Sequence, residues 1–207
     1  MSFRIEKKIA VNKDKFFFIN NFFIKNKFNK IYEDRNIYSC YLDTFDFKMY
    51  QNSVEGCVPR KKIRLRSYNK LFEGDIFLEK KISSVEGRYK ISEKVKDYQK
   101  ILDKGYFDHD YGICYPKIII KYSRSYFQKN DVRITLDKKI LFSNYRNNMR
   151  SIFFFNYNDY DCAEIKCKSN QDIENLDLNN FLSIRSSKYC LGINNVLKNS
   201  DMYTEPY

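Results

Sequence analysis

Charge recurs at every second residue in five segments of this chain, with apolar or small residues between. They are Arg4-Ile5-Glu6-Lys7-Lys8, Lys62-Ile63-Arg64-Leu65-Arg66, Leu78-Glu79-Lys80-Lys81, Arg133-Ile134-Thr135-Leu136-Asp137 and Glu164-Ile165-Lys166-Cys167-Lys168. A strand sends side chains i, i+2 and i+4 to one face. Each segment therefore presents a charged face backed by a largely apolar one. Lys and Arg dominate the charged faces, and every segment but the second adds a carboxylate. Cations at i and i+2 lie ~6.8 Å apart and repel by ~2–3 kcal/mol at an effective dielectric near 20. An open face lets water screen Lys62, Arg64 and Arg66, whereas an enclosed face calls for a polyanion. Converging charged faces would form a cationic site with embedded acids, suited to a phosphate chain and a metal ion.

The rest of the chain supplies further strands and a few helices. Residues 3–11 read as a first strand. Asn12 to Lys27 reads as a helix with Asn12 at its N-cap and an apolar stripe through Phe16, Ile19 and Phe23. Strands are predicted over 37–43, 60–69, 75–83 and 87–92, with a loop or short helix over 45–58. Glu93 to Lys104 reads as a helix stopped by Gly105. Lys117–Gln128 and Asp131–Asp137 form a predicted hairpin turning near Lys129-Asn130. Strands follow over 152–157 and 161–168, then a helix over 170–184 and a short, loosely held tail past Leu191. So many strands adjacent in sequence predict a mostly antiparallel α+β architecture. No domain boundary stands out, so residues 1–207 read as one domain.

Composition narrows the partners. The 207 residues carry a formal net charge of +12, which predicts a polyanion such as nucleic acid, anionic lipid or polyphosphate. With 43% hydrophobic residues the chain can build a core. The six cysteines, Cys40, Cys57, Cys114, Cys162, Cys167 and Cys190, form no Cys-x-x-Cys pair, and read as reduced thiols of a cytoplasmic protein. The longest apolar run, near Phe16 to Ile24, is too short to span a bilayer, which leaves a membrane partner as the only membrane link. A single histidine, His109, makes histidine-based zinc sites and Ser-His-Asp triads improbable. No Gly-rich phosphate loop is present, so side chains must hold any phosphate. Two other readings stay open on periodicity alone: solvated sheet faces, and a basic RNA-binding surface. RNA-binding sheets usually expose aromatics where these segments place charge.

The segments, taken in order, resemble the VTC domain, the polyphosphate polymerase module of vacuolar transporter chaperones, within the CYTH-like triphosphate tunnel metalloenzymes. The resemblance runs nearly end to end. Besides the five segments it rests on Tyr41-Leu42-Asp43-Thr44, Arg60-Lys61-Lys62, Tyr122-Ser123-Arg124-Ser125-Tyr126 and Ser187-Lys188-Tyr189. It implies a closed antiparallel β-barrel of about eight strands around a hydrophilic tunnel, with helices packed outside. It implies that Lys8, Arg64, Arg66, Lys81, Arg124, Arg133 and Lys188 act on phosphate at the catalytic site. Arg4, Lys62, Arg88, Lys90 and Lys166 would add phosphate contacts. Glu164, with Glu6, would hold Mn²⁺ or Mg²⁺, and Glu79 and Asp137 would orient cations. The implied reaction is metal-dependent transfer of the γ-phosphate of ATP to polyphosphate or pyrophosphate. Hydrolysis of a triphosphate, or polyphosphate binding without turnover, are the alternatives. Hydrolytic CYTH relatives open with Glu-x-Glu-x-Lys, whereas Arg4 stands at the first of those acidic positions here.

Overall fold

Alternation is realised as paired strands whose apolar faces meet helices. The computed structural model describes residues 5–12, 16–146, 154, 160–176, 178, 181–185 and 187–201. The chain begins with β1 (Ile5–Asn12), α1 (Phe16–Lys25), β2 (Asn29–Asp43), α2 (Lys48–Glu55) and β3 (Arg60–Tyr68). It continues through β4 (Phe77–Ser84), β5 (Gly87–Lys94), α3 (Tyr98–Lys104), β6 (Tyr106–Asp108) and β7 (Gly112–Lys129). The last elements are β8 (Val132–Asn144), β9 (Tyr160–Cys167), α4 (Asn170–Glu174), β10 (Leu182–Ser183) and α5 (Lys188–Asp201).

The sheet corrects the expected barrel. Its ten strands run in the order β10-β1-β9-β8-β7-β2-β3-β4-β5, with β6 paired to β7 beside that path. The order has two ends, so the sheet is open rather than closed on itself. The end strands explain this in part. β10 is two residues long, and β5 is exposed over most of its length and rich in charge. Short or charged edge strands are poor templates for further pairing.

Two compact units divide the chain. The first takes in Met1–Asn36, Tyr122–Ile140 and Asn158–Ser186. In it, the apolar faces of β1, β8 and β9 pack Ile9, Ile134, Leu136 and Ile165 against Ile19, Phe22 and Phe23 of α1. Phe23 also stacks on Phe127, with ring centroids 3.9 Å apart. The second unit takes in Ile37–Lys121, Leu141–Tyr157 and Ser187–Tyr207. There Cys40, Leu42, Ile63, Leu65 and Leu78 form a core with Met49 of α2 and Leu102 of α3. Each fully buried Leu or Ile of this kind stabilises by ~1.5–3 kcal/mol.

Several predicted elements change in extent. The strand expected over 37–43 begins at Asn29, while the loop or short helix expected over 45–58 takes its helical form in α2. Glu93 and Lys94 extend β5 instead of opening a helix, because they pair with Leu78 and Phe77 of β4. The helix end at Gly105 stands: its N–H donates to the Ile101 carbonyl at 3.0 Å, with φ at 82°. The helix over 170–184 reduces to α4, opened by a reciprocal Ser169–Asp172 capping box. Leu182 and Ser183 pair with Ala10 and Ile9 of β1 instead. The tail expected to be loose past Leu191 is helical to Asp201 and buries Ile193. The turn near Asn130 is as expected, with φ at 48° there. The strand over 152–157 and the Asn12 cap fall on or against residues outside those described. No disulfide joins the six cysteines, and among the described residues no helix is long and apolar enough to cross a membrane.

Candidate phosphate-binding faces

Register decides which charges share a face. Residues directly opposite on paired strands project the same way. In the first unit Lys8 faces Glu164, which faces Thr135, and Glu6 faces Lys166, which faces Arg133. Asp137, opposite Cys162, continues the same face along β8. Arg124 of β7 joins it through a two-pronged ion pair, Nε to Asp137 Oδ1 at 2.5 Å and Nη2 to Oδ2 at 2.7 Å. Asp137 is fully buried, so this pair holds Arg124 in a fixed orientation. A cavity of about 140 Å³ opens at Arg133 and Lys166, also lined by Asp131 and Lys168.

Two carboxylates remain on that face, and both are only slightly exposed. Glu164 Oε1 lies 2.7 Å from Lys166 Nζ, and Glu6 Oε1 lies 3.8 Å from Lys8 Nζ. Burial would raise the Glu164 pKa, but Lys166, Lys8 and Arg124 outweigh it and hold the acid well below the usual carboxylate range. Glu164 is therefore anionic at neutral pH. Among the described residues no trio of His, Cys, Asp or Glu gathers as a complete metal cage. A diagonal pair of carboxylates does suit Mg²⁺ or Mn²⁺, which are commonly bound by one or two carboxylates, with water and substrate phosphate completing the shell. Glu6 and Glu164 fit that requirement; Asp137 is committed to Arg124.

The second unit carries a denser cationic face. Arg64 faces Glu79 on one side and Tyr41 on the other, while Lys62 faces Lys81, which faces Lys90. Arg66 lies opposite Ser39, and Arg88 lies opposite Ser83. Lys62, Arg64, Arg66, Lys81, Arg88 and Lys90 therefore share one face. Glu79 is the hub: Arg64 donates to its Oε2 at 2.8 and 2.6 Å, Arg66 Nη1 lies 3.4 Å away, and Lys90 Nζ meets Oε1 at 2.6 Å. Burial opposes its ionisation, yet Arg64, Arg66 and Lys90 bring its pKa down to about 2. Arg66 is only 5% exposed. This is not the fully solvated face that periodicity alone allows.

Lys188 is carried by another element, as the first residue of α5. Lys62 Nζ donates to Ser187 Oγ at 2.9 Å, just before it. Tyr189, just after it, stacks on Tyr41 with centroids 4.9 Å apart and donates its hydroxyl to Asp43. Arg4 lies outside the described residues. Tyr41, Asp43 and Tyr189 lie in segments that carry the family resemblance, but the sequence alone assigns them no role. Their signal was the i, i+2 series Ser39-Tyr41-Asp43, polar on one face and apolar at Cys40 and Leu42 on the other.

Each unit thus pairs an apolar sheet face with a face of cations and acids, in an α+β fold. The VTC domain matches residues 3–110 and 105–197. The chain belongs to the VTC domain family. Among solved structures it is similar to a Hippeastrum protein, HpAC1, assigned as an adenylyl cyclase and described with a dominant triphosphatase activity. The identity is 10%, with 93% of this chain and 96% of that one covered and a TM-score of 0.55. It is also similar to the PH1819 protein of Pyrococcus horikoshii OT3, at 14% identity, 95% and 89% coverage and a TM-score of 0.48. At 10% identity the likeness to the Hippeastrum protein is one of fold. No curated protein matches the sequence.

Proposed function

We propose that the protein is a metal-dependent enzyme that cleaves the terminal phosphoanhydride of an inorganic or nucleoside triphosphate, with water accepting the phosphoryl group. The observation that carries this reading is the shared face of Lys62, Arg64, Arg66, Lys81, Arg88 and Lys90 around the single acid Glu79. Such a concentration of cations, with Arg66 buried, is relieved by a chain of phosphates. Phosphoryl transfer needs positioning and charge neutralisation more than a covalent nucleophile. The cations of the β3–β5 face would supply both. Glu6 and Glu164, in the first unit, are the candidate ligands for the Mg²⁺ or Mn²⁺ that the enzyme would use. The fold shared with a protein described as a triphosphatase favours water as acceptor.

Membership of the VTC family supports a second reading, in which a phosphate chain accepts the γ-phosphate and polyphosphate grows. One experiment separates them. Purified protein is incubated with ATP or tripolyphosphate and Mn²⁺ or Mg²⁺; free phosphate is measured and products are resolved on a gel. Release of phosphate without long chains is expected, while a polyphosphate ladder would favour the second reading. Arg66→Ala is expected to raise KM at least tenfold, and Glu164→Gln to abolish metal-dependent turnover. Wild-type kinetics in both variants would refute the assignment of these faces.

A further inference from the structure

A buried set of contacts beside the β3–β5 face touches Arg64, which binds phosphate in the proposed function, and adjoins Lys188. Asp43 ends β2 and accepts three backbone N–H groups: Thr44 and Met49 on Oδ1, at 2.8 and 2.9 Å, and Tyr50 on Oδ2, at 2.9 Å. The carboxylate thus closes the start of α2. It is fully buried and also accepts the hydroxyl of Tyr189. Burial and the Asp43 charge push the Tyr189 phenol well above its ordinary pKa, which keeps it a proton donor. The Tyr189 ring stacks on Tyr41, interplanar angle 22°. The Tyr41 hydroxyl accepts from Arg64 Nη1 at 2.6 Å.

We propose that Asp43, Tyr189 and Tyr41 form a positioning relay that sets Arg64 and Lys188 for phosphate. It rests on the functional reading above and adds residues to it. The geometry gives each member a distinct part. Asp43 is anchored by α2, so its carboxylate is a fixed point. Tyr189 borrows that point to fix the first turn of α5, and with it Lys188, the preceding residue. Tyr41 uses the ring stack to hold its hydroxyl under the Arg64 guanidinium. Arg64 is then gripped from two sides, by Tyr41 and by Glu79, which fixes the plane of its guanidinium. The contact between Lys62 and Ser187 adds a second tie on the start of α5. An Arg held in a fixed plane recognises phosphate oxygens better than a mobile one, because less rotamer freedom is lost on binding.

The test uses Tyr189→Phe and Tyr41→Phe, which remove one hydroxyl each and keep the ring stack. Tripolyphosphate binding is measured by calorimetry on folded protein, beside Arg64→Ala and the Tyr41→Phe/Arg64→Ala double variant. Each tyrosine variant is expected to weaken binding about fivefold to tenfold, the loss of one hydrogen bond's guidance. In the double variant Tyr41→Phe should add nothing to Arg64→Ala. A role confined to folding would lower the melting temperature and leave the binding constant of the folded protein unchanged, which overturns the relay. Full additivity of Tyr41→Phe with Arg64→Ala overturns it as well. If Arg64→Ala itself leaves binding untouched, the functional reading fails, an outcome distinct from failure of the relay alone.

Discussion

Glu79 shows how one acid makes a cationic face compatible with folding. Arg64, Arg66 and Lys90 converge on it, and removing its charge would weaken the compensation of buried Arg66. Its folded pKa of about 2 lies below the ordinary 4.5. The stabilisation is therefore fully present above pH 4.5 and is lost as pH falls through 2. The shift corresponds to roughly 3 kcal/mol. Urea midpoints measured from pH 6 to pH 2 are expected to fall steeply for the wild type. In Glu79→Gln the midpoint should start lower at pH 6 and fall less. Parallel slopes would show that the acid is not held ionised in the fold. Alternation already announced Glu79 as a charge among cations in the sequence. Its part as hub was not legible there, because it depends on Lys90, which sits on the next strand.

At the scale of elements, alternation predicted the cores of β1, β3, β4 and β9 well, since a two-residue period has one interpretation when both faces are specified. It failed where pairing partners, rather than the local pattern, choose the state. Glu93 and Lys94 are good helix formers, yet the register with Phe77 and Leu78 keeps them in β5. The polar stretch Asn29–Asn36 carries little hydrophobic signal and still extends β2. α5 was missed for another reason: its packing depends on Gly192, whose place in the helix is set by a contact distant in sequence. A Cβ at Gly192 would meet Phe142 Cδ1 at 2.8 Å and would also crowd Ile118. Gly192→Val is therefore expected to destabilise by ~1–3 kcal/mol through overpacking. Chemical denaturation would show this, and an unchanged midpoint would mean that α5 can move away without loss.

For the molecule as a whole, the net charge of +12 and the cationic face make a common prediction. Tripolyphosphate at ~100 times its dissociation constant should stabilise by ~2.7 kcal/mol, or roughly 5–11 °C in melting temperature at this size. The gain should shrink as salt rises from 0.05 to ~0.5 M, because exposed Lys81, Arg88 and Lys90 are screened first. A larger shift with RNA than with tripolyphosphate would redirect the assignment toward nucleic acid. The ordered series of charged segments made the family legible from the sequence. Closure of the sheet was not legible, because it depends on what the end strands can pair with.

Those end strands have a colloidal consequence. Strand β5 leaves one side without a neighbour among the described strands, and Arg88, Lys90 and Lys94 repeat along it. Two copies approaching rim to rim would bring like charges into register, so each molecule keeps its kind at a distance. A phosphate chain long enough to lie across two such rims would cancel that repulsion. In the proposed function the charges that suit the protein to phosphate would then make such a chain a glue between copies, and solubility would depend on the ratio of chain to protein.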